Sequence, residues 1–287
     1  MKTESETQTD LSGLITPIAT PFTTDGNIDE SAFCAHLQFL AGAGINKIMV
    51  NGTTGEFFSL TQKERRKLLT LANRHFSGTL IYHTGCAAMA ENIEEAKFAA
   101  ETGAAVIACI APFYLAKAPV QGIIDYFNAI SHSTALPFMI YNFPAHTQNP
   151  LTHDILSKID HFGIKDSSAN LDLISATDHY YVGGDAVILK AHRKGGFGFV
   201  SARSNFFPEI FVKLESAIAA NDPQTENIQQ EIVKLKNQIT GTGTIPKIKY
   251  LVSKRIKGYS RIPRPPLVTV KPQEAEELDS LLESFDI

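Results

Sequence analysis

Residues 79–113 read "TLIYHTGCAAMAENIEEAKFAAETGAAVIACIAPF", and this stretch decides the fold. It opens with a short apolar, β-capable run, "TLIYHT", and closes with another, "AVIACIAPF". Between them "AENIEEAKFAAETGA" is patterned at helical spacing, and Gly103 stands where a left-handed C-terminal cap is wanted. Neither apolar run alternates strictly with polar residues, as expected of parallel strands covered on both faces. Strand, helix and strand follow one another with short loops, the pattern of a βαβ unit.

The same rhythm runs in both directions. Upstream lie "GLITPIATPF" as a strand, a helix in "IDESAFCAHLQFLAGAG", the strand "INKIMV", and a helix over residues 61–75. That last helix has a capping-box start, with Thr61 three residues before Glu64. Downstream come a helix in "PVQGIIDYFNAI" with Pro119 near its first turn, the strand "LPFMIYN", and a helix from about residue 151. Then follow the strand "HFGIK", a helix through "LDLISATDH", a short strand in "YYVGGD" and a brief helix in "AVILKAHRKG". "GFGFVSA" and the helix "FPEIFVKLESAIAA", opened by Pro208, complete the series.

Eight such units predict an α/β fold, a (β/α)8 TIM barrel over residues 11–220. An open doubly wound sheet fits less well, because no Gly-x-Gly-x-x-Gly follows the first strand. From residue 221 no strand remains. "NDPQTENIQQEIVKLKNQI", "IPKIKYLVSKRIKG" and "QEAEELDSLLESF" predict helices, and "RIPRPPLVTVKP" a proline-stiffened linker. Residues 221–287 are therefore expected to form a C-terminal helical appendage.

Composition narrows the function. A hydrophobic content of 44% with 20% charged residues fits a globular chain, and 26 basic against 30 acidic residues give a net charge of -4. That balance offers no concentrated positive surface for nucleic acid or an anionic membrane. Cys34, Cys86 and Cys109 are too scattered for a disulfide framework or a metal knuckle, which points to a reducing compartment. The opening "MKTESETQTD" is polar, so a loose arm is expected rather than a signal peptide, and no run is long enough to span a bilayer. A cytoplasmic protein is the expectation.

Reactive groups in such a barrel collect at the C-terminal ends of its strands. Lys165 ends the sixth strand. A desolvated lysine amine there can attack a carbonyl carbon, and the resulting iminium draws electrons from the adjacent carbon. Position alone leaves this reading level with a surface lysine closing a strand, paired to Asp166. Tyr141 ends the strand before it, close enough in sequence order to relay protons for an aldol step. The "NGTTG" loop after the second strand holds Thr53 and Thr54 between two glycines, where amides and hydroxyls can cradle a carboxylate. Tyr114 follows the fourth strand.

"GTTGE" at 52–56, "YNFP" at 141–144, "GIKDSS" at 163–168 and "GGD" at 183–185, in this order and at these separations, carry a resemblance. The chain is similar to the dihydrodipicolinate synthase and N-acetylneuraminate lyase family of pyruvate-dependent class I aldolases over almost its whole length. The resemblance implies that Lys165 forms the Schiff base with pyruvate and that Tyr141 relays protons. Thr53 and Thr54 would bind the pyruvate carboxylate, and Tyr114 would complete a relay with Thr53 and Tyr141 from a neighbouring subunit. Gly184 and Asp185 would line the remainder of the substrate site, with His146 and Val200 as further lining residues. It also implies a homotetramer built as a dimer of dimers, and no metal or cofactor beyond the covalent Schiff base.

One departure bears on substrate. Members that make dihydrodipicolinate resemble "YNxPxRT", with an arginine for the aldehyde's carboxylate; here the stretch is "YNFPAHT", with His146 in that place. "ARSNFFPEI" and "GYSRIPRPPL" resemble instead the 2-keto-3-deoxygluconate aldolases of archaeal type. Arg203 departs from that subgroup, where a small residue is expected; it can block the pocket, bind an anion or face away. The expected activity is cleavage of a 2-keto-3-deoxy sugar acid to pyruvate and glyceraldehyde. N-acetylneuraminate lyase, a dihydrodipicolinate synthase-like enzyme, a sugar-acid dehydratase and a non-catalytic ligand-binding barrel are the alternatives.

Overall fold

A computed structural model describes residues 10–239 and 243–285. Of the arm expected at residues 1–10, residues 1–9 lie outside the described residues. Eight parallel strands close in sequence order, with β8 returning to pair with β1. They are β1 (Gly13–Pro17), β2 (Lys47–Val50), β3 (Thr79–His83), β4 (Val106–Ile110), β5 (Phe138–Asn142), β6 (Gly163–Asp166), β7 (Tyr180–Val182) and β8 (Gly198–Val200).

The outer helices of the first four units run as the spacing predicts: α1 (Glu30–Gly42), α2 (Gln62–His75), α3 (Met89–Glu101) and α4 (Val120–Ser131). Thr61 and Glu64 form the expected reciprocal capping box of α2, and Gly103 after α3 takes φ +85°. The next units are abbreviated. β5 is followed by two single turns, α5 (Pro144–Thr147) and α6 (His153–Leu156), rather than one helix from residue 151. The helix expected through "LDLISATDH" is a 3-10 segment, Leu171–Ala176, opened by the Asn170 side chain accepting from the Asp172 amide. α7 (Ile188–Arg193) is short, and α8 (Pro208–Ala219) begins at Pro208 as expected.

Side chains alternate across each strand, so two cores form. Ile15, Met49, Ile81, Ala108, Met139 and Val200 fill the barrel interior. The intervening residues, among them Ile48, Leu80, Ile107, Ile140 and Ile164, pack against the surrounding helices. Tyr181 spans the interior, and its hydroxyl donates to the Leu11 carbonyl at 2.8 Å. Gly198 makes room for that ring: a Cβ there would lie 2.7 Å from it and 2.4 Å from the Gly13 carbonyl oxygen.

The C-terminal region supplies α9 (Thr225–Gln238), α10 (Thr244–Arg255) and α11 (Pro272–Ser284). α9 packs on α8, and α10 lies against both α11 and the 3-10 turn after β8. Among the described residues no helix is long and apolar enough to cross a membrane.

Candidate active site

The strand register brings Lys165 and Tyr141 together. Lys165 pairs with Tyr141 on one side and with Tyr181 on the other, so the three side chains share one interior level. Lys165 is only 4% exposed. Its Nζ sits 3.8 Å from the centre of the Tyr141 ring and 3.9 Å from the Met49 Sδ. Among the described residues Lys165 makes no ion pair. The amine is thus held by a π face and a thioether, neither of which occupies it with a strong acceptor.

Asp166 is not its partner, because alternation turns the two residues to opposite faces of β6. The Asp166 carboxylate is fully buried and accepts from five donors. Oδ1 receives Asn142 Nδ2 at 2.8 Å, the Ser168 amide at 3.0 Å and the Ser168 hydroxyl at 2.6 Å. Oδ2 receives the Asn170 amide and the Tyr180 hydroxyl, each at 2.8 Å. This network ties the loop after β6 to β5 and β7, and so fixes the strand end that carries Lys165.

The Tyr141 hydroxyl and the Thr53 Oγ1 are 3.2 Å apart. Thr53–Gly55 form a 3-10 turn, within which the Gly55 amide donates to Gly52 and the Glu56 amide to Thr53. Those two amides are spent inside the turn, which leaves Thr53 and Thr54 as its donors toward the cavity. Both threonines line a cavity of about 630 Å³ together with Tyr141, Lys165, His146 and Val200.

The remaining expected residues divide. Asp185 lines the cavity, but Gly184 does not; the adjacent Gly183 takes that place. A Cβ on Gly183 would approach Ser167 Oγ to 2.7 Å, so only glycine lets this chain pass against the loop after Lys165. Within one chain Tyr114 stands apart from the cavity and is 94% exposed.

Arg203 lines the cavity without being a free cation. Its Nη1 lies 2.7 Å from Asp185 Oδ2, and its Nη2 donates to the Ile239 carbonyl and, at 3.4 Å, to that of Lys236 at the end of α9. Burial pushes the Asp185 carboxyl up, and the Arg203 charge opposes that shift. A solvated loop arginine is thereby ruled out.

Sequence reasoning passed over His83. It stands two residues beyond Ile81 on β3, and that alternation alone would have aimed it into the barrel. Its Nδ1 is 2.8 Å from the Asn51 carbonyl oxygen, which makes Nδ1 the protonated nitrogen, and its ring lies edge-on to Tyr141 at 5.7 Å. Burial first, then the Lys165 charge, lower its pKa to about 3. A neutral imidazole therefore underlies the tyrosine. Among the described residues no cluster of three or more His, Cys, Asp or Glu is placed to hold a metal ion.

Known proteins share this architecture. A 4-hydroxy-tetrahydrodipicolinate synthase from Chelativorans sp. (strain BNC1) is 29% identical over 287 residues, covering 94% of this chain and 97% of the relative. A 2-dehydro-3-deoxy-phosphogluconate/2-dehydro-3-deoxy-6-phosphogalactonate aldolase from Saccharolobus solfataricus is 28% identical over 286 residues, 95% of each chain. Among solved structures, YagE, a prophage protein from E. coli K12 in complex with pyruvate, superposes with a TM-score of 0.90 at 27% identity. That match covers 96% of this chain and 99% of the other. A Sulfolobus 2-keto-3-deoxygluconate aldolase in complex with D-KDPG gives a TM-score of 0.87 at 26% identity, covering 96% of each. The family model for the dihydrodipicolinate synthetase family matches residues 10–285, and the chain belongs to that family of lyases.

Proposed function

We propose that the protein is a Schiff-base aldolase that cleaves a 2-keto-3-deoxy sugar acid, such as 2-keto-3-deoxygluconate, to pyruvate and glyceraldehyde. One observation carries the reading: a buried lysine amine without an ion pair, 3.8 Å over the ring of a tyrosine whose hydroxyl meets Thr53, facing a 630 Å³ cavity.

Lys165 attacks the substrate ketone carbon, and loss of water leaves a protonated imine. Removal of the C4 hydroxyl proton drives the C3–C4 electron pair toward the iminium, which releases the aldehyde and leaves an enamine. Protonation of the enamine carbon and hydrolysis then return pyruvate and the free amine. Thr53 and Thr54 bind the carboxylate. Tyr141, hydrogen-bonded to Thr53, relays the protons. Tyr114 joins that relay in a neighbouring subunit, and the exposed Met89, Tyr114, Leu115 and Val120 supply apolar surface for such a dimer within a homotetramer. The iminium is itself the electron sink, so no metal enters the reaction. The free thiols of Cys34, Cys86 and Cys109 fit a cytoplasmic setting.

The lysine and arginine side chains facing the cavity support this substrate class. Among the described residues of one chain these are Lys165, the nucleophile, and Arg203, already engaged by Asp185. His146 stands where a carboxylate-binding arginine would favour aspartate semialdehyde. An uncharged polyol aldehyde fits this lining better than a second carboxylate. The synthase names among the relatives keep the dihydrodipicolinate synthase-like reaction as the second reading.

Two measurements test this. Borohydride reduction with pyruvate, followed by peptide mass spectrometry, is expected to place the adduct on Lys165; no adduct, or one on another lysine, refutes the mechanism. A retro-aldol panel read as pyruvate release compares 2-keto-3-deoxygluconate, its galactonate epimer, their 6-phosphates and N-acetylneuraminate. Cleavage of N-acetylneuraminate alone sinks the substrate assignment.

A further inference from the structure

Glu56 and Lys249 form an ion pair with both side chains at 0% exposure, Nζ to Oε1 2.7 Å. They lie 193 residues apart in the chain, one directly after Thr53, Thr54 and Gly55, the other on α10. The second carboxylate oxygen accepts the Arg264 backbone amide at 2.9 Å. Both oxygens of one barrel residue are thus held by the C-terminal region. The Arg264 side chain extends the grip: it donates to the Gly26 carbonyl at 2.9 Å, to Ser59 at 2.8 Å and to Glu64 at 3.0 Å. Lys249 and Arg264 each sit 4.3 Å from the centre of the Phe22 ring.

Two physical arguments give this arrangement a purpose. A buried ion pair stabilises little compared with an apolar pair of the same volume, yet it is satisfied in few geometries. Glu56 also adopts a left-handed backbone, φ 58°, which a non-glycine residue holds only when its surroundings over-determine it. The residue fixed in this way closes the threonine turn, since its amide donates to the Thr53 carbonyl at 3.0 Å. The neighbour of Lys249 on α10, Ile248, lines the cavity.

We propose that Glu56, Lys249 and the Arg264 amide form a clamp through which the C-terminal helical region positions Thr53 and Thr54 for the 2-oxo acid carboxylate. The proposal rests on the reading that this carboxylate binds at the threonine pair. Glu56 and Lys249 are positioning residues, since neither touches the reacting atoms. Burial lowers the Lys249 pKa to about 8, and the Glu56 charge opposes that shift.

The test compares two electrophiles on the full chain. The pyruvate concentration for half-maximal borohydride trapping at Lys165 reports carboxylate placement. Reductive methylation of Lys165 by formaldehyde, which has no carboxylate, reports the amine alone. Glu56→Gln/Lys249→Met removes both charges together, so no buried charge is left unpaired. It is expected to raise the half-saturating pyruvate concentration by about tenfold or more and to change formaldehyde labelling by less than about twofold. Glu56→Asp keeps the charge but withdraws it by one methylene, and a rise of about threefold is expected. If circular dichroism shows the double variant unfolded, Glu56→Asp decides alone. Unchanged half-saturation in the folded variants, or equal losses with both electrophiles, overturns the clamp. A wild type that forms no pyruvate adduct on Lys165 overturns the underlying reading and the clamp with it.

Discussion

Asp166→Asn probes the network that holds the end of β6. The amide has the shape of the carboxylate but only one acceptor oxygen. Placed at Oδ1, that oxygen keeps Asn142 and both Ser168 donors, now without the help of a charge. The amide nitrogen then faces the Tyr180 hydroxyl and the Asn170 amide. The hydroxyl can rotate to accept; the Asn170 amide cannot, and a buried donor facing a donor costs about 1–3 kcal/mol. Weakening of the surviving bonds from charge-assisted to neutral adds about 1–2 kcal/mol. The expected loss is about 3 kcal/mol, a substantial part of a typical stability of about 5–15 kcal/mol. Urea denaturation should show this as a lower midpoint at unchanged slope. Because the network anchors the strand end that bears Lys165, pyruvate trapping at Lys165 should also slow in conditions where the variant is fully folded. A loss below about 1 kcal/mol, or full stability loss with an unchanged trapping rate, refutes the reasoning.

Further outcomes follow from the same geometry. Burial lowers His36 to about 4 and His83 to about 3, so both are neutral in the fold. Their contribution is complete above pH about 6.5, where the unfolded imidazoles are neutral too, and is lost as pH falls toward those values. Each should add about 1.4 kcal/mol per pH unit to the slope of stability between pH about 6 and 4. Urea titrations of His83→Gln should show the shallower slope, and an unaltered slope would count against a neutral His83. Tyr141→Phe removes the proton relay but keeps the ring beneath Lys165, so kcat for retro-aldol cleavage should fall by about 10²–10⁴. Retained kcat would remove the relay assignment. His146→Arg should raise turnover with aspartate semialdehyde and pyruvate; no gain would mean that this site differs from the synthases at more than one position.

The barrel was legible because its signals are local. Each β-branched run, the Thr61–Glu64 cap and Pro208 act within a few residues of where they stand. Lys165 and Tyr141 were legible for a similar reason: they end consecutive strands, and parallel register brings such residues side by side. What failed depended on distant partners. The segments 144–156 and 171–176 have helical composition, yet they form two single turns and a 3-10 segment, and the His153 ring of the first meets the Asp172 carbonyl of the second at 2.9 Å across 19 residues of chain. Arg203 could not be read, since its partners lie on the loop after β7 and at the end of α9. Gly184 came from the resemblance, and in one chain it is the adjacent Gly183 that lines the cavity beside Asp185.

β6 also bears on how the barrel closes correctly. Its last two residues are a buried lysine amine facing the lumen and a buried carboxylate facing outward into five donors. A slip of one residue would exchange them, placing a carboxylate against the Tyr141 ring and the lysine amine among hydrogen-bond donors. The slip strips the buried carboxylate of its five donors, a penalty an apolar strand end would not impose. The two residues that make this strand look least like a core strand thereby proofread its alignment, and an assembled site is itself the sign of a barrel closed in register.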